Sequence, residues 1–328
     1  MGRFILKRLL WMIPVVLGVT ILIFSIMFVV PGDPAQIIAG DTATEAELNE
    51  IRDELGLNDP YIVQLGRYMY NVFLRFDFGE SYSTGKSVTA ELMTRLPRTL
   101  IVGLSAMVLS IAIGIPLGVI AAVHRNGWGD RVSMIIALLG VSMPQFWLAL
   151  MMVLLFSVKL SWLPSQGIDS WICYILPSVA LCFGGLAGQA RQARSSMLEV
   201  ISADYVTTAR SKGLTEFEVI VKHALPNALM PVITLAGSQL AHIFGGAVAI
   251  ESVFAIPGIG SYLVSAINKR DYPVIEGSVI LLAIVFSIVM LIVDLTYGFV
   301  DPRIRARFAG GGKRKKAQKQ NKTAVERG

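Results

Sequence analysis

Chemistry in a protein chain needs a nucleophile beside a base, a cluster of metal ligands, or a loop that cradles phosphate. The three histidines, His124, His223 and His242, are far apart and have no metal-ligand spacing. No nucleophile–base pair and no paired His/Asp ligands at helical spacing occur, which argues against a membrane-embedded hydrolase. No G-x-x-x-x-G-K-[ST] stretch is present, so the chain is not expected to be an ATPase itself, and no cofactor is expected. Cys173 and Cys182 lie in or beside one apolar run and are too few for a disulfide framework. The remaining candidates are polar residues inside apolar runs, where a side chain marks a site by default.

Each of these has a structural and a functional reading. Gln189, Arg191, Gln192 and Arg194 stand about 15–20 residues into their run, near its end at roughly 1.5 Å per residue. They suit snorkelling arginines or a polar path. Asp294, near the end of the last run, suits a buried carboxylate or a pathway group. His242 suits a packing histidine or a substrate contact. Glu251 is followed by Pro257-Gly258-Ile259-Gly260, whose backbone N–H groups can face a carboxylate. A structural clamp and a contact with substrate or partner both fit Glu251, and the same holds for Ser252 and Asn268.

The elements that must position these residues follow from composition. The chain has 328 residues, 54% hydrophobic and only 16% charged, with mean hydropathy +0.62. Soluble domains carry about a quarter charged residues. This composition excludes an ordinary soluble enzyme, and the net charge of +6 gathers at the chain ends rather than on a nucleic-acid face. Apolar runs fall at about 9–30, 99–123, 132–158, 174–196, 230–254 and 277–300. Each is long enough to cross the roughly 30 Å of hydrocarbon. They predict an all-α, polytopic membrane protein with six transmembrane helices, the third kinked at Pro144. The first run is too long and lacks the small-residue site of a cleaved signal peptide, so it reads as an N-terminal anchor, 1–31.

Lys and Arg placement sets the expected orientation. Arg3, Lys7 and Arg8 precede the first run, and the chain from Asp301 onward holds ten Lys/Arg against two acids. Residues 32–97 hold eleven acids and five bases. Both termini are therefore expected in the cytoplasm and 32–97 outside, as an extracytoplasmic subdomain preceding a five-helix core, 98–308. Within 32–97, Thr44-x-x-Glu47 predicts a capping box. Asp59-Pro60 predicts an N-cap and first helical residue. Tyr61, Leu65, Tyr68, Met69 and Val72 then recur at helical spacing. The tail 309–328 is expected to be disordered and to meet membrane lipid through its lysines.

The cytoplasmic loop 197–229 is too patterned for a linker. Ser202 and Asp204 predict caps of a short helix holding Val206, Ala209 and Arg210, and Gly213 a left-handed break. A second amphipathic helix from Thr215, with Phe217, Val219, Ile220 and Val221, is expected to end near Leu225-Pro226-Asn227. Two short helices about a glycine make a knob for a soluble partner.

The string Asp204-Tyr-Val-Thr-Thr-Ala-Arg-Ser-Lys-Gly213, nine residues, then His223-Ala-Leu-Pro226 resembles the EAA loop of bacterial ABC-importer permeases. Ala209, Gly213, Leu225 and Pro226 match that pattern. Thr207, Thr208 and His223 stand where Glu, Ala and Ile are commonest. Pro31-Gly-Asp-Pro34, Leu55-Gly-Leu-Asn-Asp-Pro60, Asp77-Phe-Gly-Glu-Ser81 and Ser142-Met-Pro-Gln-Phe146 resemble the dipeptide/oligopeptide/nickel branch. So do Glu251-Ser-Val-Phe-Ala-Ile-Pro-Gly-Ile-Gly260, Arg270-Asp-Tyr-Pro273 and Asp301-Pro-Arg-Ile-Arg305.

The resemblance is to the first permease subunit of that branch, and it implies a type I ABC importer permease fold. It further implies a second homologous permease, two cytoplasmic ATP-binding subunits seated on the EAA loops, and an extracytoplasmic solute-binding protein. Asp204, Thr207, Thr208, Ala209, Gly213, His223, Leu225 and Pro226 would form the ATPase-coupling loop. His242, Glu251, Ser252 and Asn268 would lie along the path or its outer gate. The cargo would be a di- or oligopeptide or a similar small solute, with glutathione, nickel or a metal chelate as alternatives. An ion-coupled secondary transporter would instead want internal repeats and midplane ionisable groups. A scaffold without transport activity is the remaining class.

Overall fold

The computed structural model describes residues 2–40 and 42–300. The tail 309–328, residues 301–308 before it, and the side chains of His242 and Asp294 lie outside the described residues.

In hydrocarbon every backbone N–H and C=O must be satisfied within its own segment, so each apolar run becomes a helix. The first, α1 (Gly2–Val29), continues through Pro14. Its Leu10, Trp11 and Leu22 side chains are more than half exposed, as a face toward lipid requires. Three short helices follow: α2 (Pro34–Ala39), α3 (Glu45–Leu55) and α4 (Tyr61–Tyr70). The Thr44–Glu47 capping box opens α3, with Thr44 N donating to Glu47 Oε2 at 2.8 Å. The N-cap of α4 is Pro60 rather than Asp59. The Asp59 carboxylate goes instead to the Arg67 guanidinium, a charge-assisted partner stronger than a backbone N–H. Tyr61 and Tyr68 of α4 pack their rings on Phe24 of α1, with centroids 5.8 and 5.4 Å away.

The second span, α5 (Val88–Val123), begins under a Ser87 N-cap and runs unbroken past Pro97 and Pro116. The third run is divided. Pro144 holds Met143 in an extended conformation, so α6 (Trp128–Ser142) and α7 (Gln145–Met152) meet at 99°. A bend expected as a kink is a full break. Next come α8 (Ile175–Ile201), α9 (Asp204–Ser211), α10 (Glu216–Glu218), α11 (Leu225–Val253), α12 (Ile259–Lys269) and α13 (Tyr272–Val300). Five described helices are long and apolar enough to cross a membrane, and the bent pair would bring the number to six if it counts as one span.

The bundle is built on close approach of α5 to α8. A Cβ on Gly114 would sit 2.7 Å from Gln189 Cβ, and one on Gly118 would strike the Ala190 carbonyl. Small residues replace the missing hydrophobic drive between helices in lipid by letting backbones touch. Around this seam, Val102, Ala106, Leu181, Leu186 and Ile250 are buried. A second cluster joins α1, the start of α5, α12 and α13 through Leu92, Ile259, Val274 and Ile280.

The bundle has two ends. Residues 30–40, 42–87 and 254–271 gather at one, the loop end, where Arg98 Nη1 donates to Pro257 O at 3.1 Å. The 124–127 turn and the α9–α10 segment gather at the other, the knob end. There Arg194 of α8 grips Asp130 of α6 through two bonds of 2.7 Å.

Candidate functional site

The knob is formed as the glycine break predicts, with two corrections. The N-cap of α9 is Ala203 without a side-chain cap, Asp204 being its first helical residue. The Ser202 hydroxyl donates back to the Glu199 carbonyl at 2.8 Å. Gly213 turns the chain at φ +79°, a region costly for any residue with a Cβ. Thr215 then caps α10 by accepting from Glu218 N at 3.3 Å. The second helix does not end at Leu225-Pro226-Asn227. A π-helical turn, Val219–Ala224, carries it straight into α11. Pro226 follows directly on the π-helical turn, and its missing N–H leaves one backbone bond unmade in an otherwise continuous helix.

Burial divides the knob into a root and a face. Val206, Ala209, Val219, Ile220 and Ala224 pack with Ala122 and Met197 of the bundle. Asp204, Thr207, Thr208, Gly213 and Pro226 are exposed, and His223 is half-buried. The apolar side chains of Phe217 and Tyr205 stand in the open, 76% and 45% exposed. Arg210 bridges the Gly213 turn to Glu216 through bonds of 3.1 and 2.7 Å. That carboxylate holds the Arg210 guanidinium above its ordinary pKa. The face is preorganised yet uncovered.

A cleft of about 770 Å³, with polar side chains in a mainly apolar lining, opens where the α6–α7 break meets α8 and α11. Gln145, Arg191, Ser238 and Gln239 line it among glycines. A Cβ on Gly184 or Gly246 would strike the Gln145 amide, and one on Gly188 the Gln239 amide. The glycines thus make room for two amides inside an apolar bundle. Gln189, fully buried, meets Gln239 at 3.1 Å. Gln145 and Gln239 were not singled out from sequence as site residues. Their signal was present: an uncharged polar side chain in each of two apolar runs.

Glu251 lies elsewhere. It is fully buried at the loop end, accepting from Thr99 Oγ1 at 2.6 Å and Ser261 N at 3.0 Å. Thr99 Oγ1 in turn accepts from Ile259 N at 2.9 Å. A Cβ on Gly258 would collide with the carboxylate. These bonds lock the 256–261 turn onto α5. Ser252 is exposed and bonds its own helix at Val248 O, 3.0 Å away, and Asn268 is exposed on α12. None of Glu251, Ser252 and Asn268 lines the cleft. Of the four α8 residues weighed from sequence, Arg191 lines the cleft, Gln189 backs it, Arg194 ties α8 to α6, and Gln192 bonds Ser196 at 3.1 Å.

A second carboxylate clamp was not anticipated. Asp271, between α12 and α13, is 2% exposed. It accepts from Ser81 Oγ at 2.6 Å, Tyr82 N at 3.1 Å and Ser83 N at 3.3 Å. It pins the 77–87 loop to the core across some 190 residues of sequence.

Residues 114–306 match the family model described as binding-protein-dependent transport system inner membrane component. Residues 1–103 match the model of the N-terminal part of such membrane components. A Brucella abortus chain, assigned by its name to a peptide transport system as a permease protein, is 45% identical over 313 residues, covering 93% of this chain and 99% of that one. The glutathione transport system permease protein GsiC of Salmonella paratyphi A is 42% identical over 305 residues, with the same coverage. Among solved structures, an inward-facing form of the MetNI methionine ABC transporter aligns at TM-score 0.56 and 20% identity, over 65% of this chain and 97% of that one. That likeness is one of fold, the type I importer permease. The chain belongs to the binding-protein-dependent transport system inner membrane component family, as a multi-pass permease subunit of an importer.

Proposed function

We propose that this chain forms one half of the membrane path of an ATP-driven importer for short peptides. The preorganised but uncovered knob carries the reading. A cytoplasmic ATP-binding subunit would cover Tyr205 and Phe217, and its movement would pass through α10 into α11 without a joint. Because α11 lines the cleft through Ser238 and Gln239, a push at the knob reaches the polar surface directly. A second homologous permease would supply the other wall, and a binding protein outside the cell would deliver cargo to the loop end. ATP hydrolysis belongs to the partner in this reading. Both termini and the knob would face the cytoplasm, and the chain would sit in the inner membrane.

The names of the two relatives make peptides and glutathione the cargoes to test, and amides such as Gln145 and Gln239 suit the peptide groups of either. The test is uptake of labelled dipeptide, tripeptide and glutathione by cells lacking the chain and by cells in which it is restored. Restored uptake of a peptide cargo is expected. Restoration of none of the three, with the chain present in the membrane, would overturn the cargo assignment.

A further inference from the structure

Three of the sequence motifs noted above are not used by the knob or the cleft: Pro31-Gly-Asp-Pro34, Asp77-Phe-Gly-Glu-Ser81 and Arg270-Asp-Tyr-Pro273. In the folded chain all three line one cavity of about 770 Å³ at the loop end, between the end of α1, α4 and the start of α13. That volume suits a small solute or a head group.

At the cavity wall lies Glu276, in the second turn of α13 and 7% exposed. Among the described residues no cation pairs with it. Both arginines of the cavity are engaged elsewhere: Arg52 donates to Asp33 through Nε at 2.9 Å and also through Nη2, and Arg67 is held by Asp59. Around Glu276 stand the rings of Tyr68, Tyr82 and Tyr272, the last two with centroids 6.5 Å apart. The Tyr68 and Tyr272 hydroxyls are buried without a hydrogen-bond partner. Burial pushes the Tyr68 and Tyr82 phenols above their ordinary pKa, so both are neutral hydroxyls. Gly32 leaves the space for the Tyr272 hydroxyl, which would lie 2.5 Å from a Cβ there.

A buried carboxylate without a cation is costly, as are orphaned hydroxyls. One ligand chemistry answers all of these groups. An anion would find no free cation here, since Arg52 and Arg67 are already paired. A quaternary ammonium would satisfy the charge and the rings but has no N–H for the hydroxyls. A primary ammonium has three donors, for one carboxylate and two hydroxyl oxygens, and its charge suits the aromatic faces. We propose that this cavity binds a primary ammonium group, held by the Glu276 carboxylate and by the hydroxyls and rings of Tyr68, Tyr82 and Tyr272. Two sources carry that group at this place, the N-terminus of a peptide and the head group of phosphatidylethanolamine. The peptide source rests on the importer reading and the lipid source does not.

The test uses the full-length chain in nanodiscs of phosphatidylglycerol, which has no amine. Trialanine and N-acetyl-trialanine are titrated by calorimetry. In parallel, nanodiscs containing phosphatidylethanolamine or phosphatidylcholine are examined by native mass spectrometry for a retained lipid. The expected result is one-to-one binding of trialanine or of phosphatidylethanolamine, at least tenfold weaker for the acetylated or N-methylated counterpart and for Glu276→Gln. Whichever arm binds identifies the source. If Glu276→Gln does not yield a monodisperse protein, Tyr68→Phe and the comparison of probes on the unsubstituted chain decide. Binding of neither amine, or equal binding of an amine and its blocked form, would overturn the proposal. Loss of uptake in a knob variant such as Gly213→Val would at the same time leave the importer reading standing.

Discussion

At the loop end, Asp271 and Glu251 sit buried among hydroxyls and backbone N–H groups brought from far along the chain. At the knob end, apolar residues root the α9–α10 segment, and its charged pairs, Arg210–Glu216 and Lys222–Glu218, stand in the open. The loop end uses each polar group it buries in its clamps to hold distant segments in one arrangement. The knob keeps its backbone fixed but leaves Phe217 and Tyr205 uncovered. The contrast separates residues that hold the fold from residues that await a partner, and it ranks the consequences of substitution.

The largest effects belong to the clamps and to the α5–α8 seam. Asp271→Ala orphans one hydroxyl and two backbone N–H groups, each costing about 1–3 kcal/mol when buried. Thermal unfolding in detergent should show a marked loss of stability, and an unchanged midpoint would refute the clamp. Gly118→Val drives a branched side chain into the Ala190 carbonyl and should separate α5 from α8, reducing the monodisperse yield on size exclusion. A normal yield would mean that the helices are not in close contact.

Intermediate effects belong to the turn. Gly213→Val forces a β-branched residue to φ +79°, at about 1–2 kcal/mol. The bundle should survive, because a Cβ at that position meets nothing. Transport and substrate-stimulated ATP hydrolysis should fall together. A variant that folds and transports normally would remove the knob from the coupling path.

The smallest stability effects come from the exposed face. Arg210→Ala removes a solvent-exposed pair worth at most about 1 kcal/mol, so the unfolding midpoint should hardly move. Phe217→Ala should leave stability unchanged and still impair uptake. If instead it destabilises the chain without touching uptake, Phe217 belongs to the fold and the comparison fails.

Much of this division is written locally. Five of the six spans, the Thr44–Glu47 capping box and the Gly213 break follow from period, spacing and a single residue's φ preference, and the structure contains each. Glu251 facing the backbone of the Pro257–Gly260 turn was readable because both lie within ten residues. Other features are set by partners distant in sequence. Asp59 opens no helix because Arg67, eight residues on, takes its carboxylate. The bond from Ser81 to Asp271 spans 190 positions and leaves no periodicity to read. The continuation of α10 into α11 was hidden by Leu225-Pro226, which reads as a stop but is carried through by the π-helical turn before it. Gln145 and Gln239 became a site only when the break at Pro144 folded α6 and α7 toward α11.

In the assembled transporter the knob, and not the loop end, is expected to meet the ATP-binding partner. A photocrosslinking residue placed at Phe217 and, separately, at Thr84 of the assembled transporter in cells tests it directly. A crosslink is expected from 217 to the ATP-binding subunit and none from 84, which lies at the opposite end of the bundle. A crosslink to that subunit from 84, or its absence at 217 in a transporter that still takes up cargo, would contradict it.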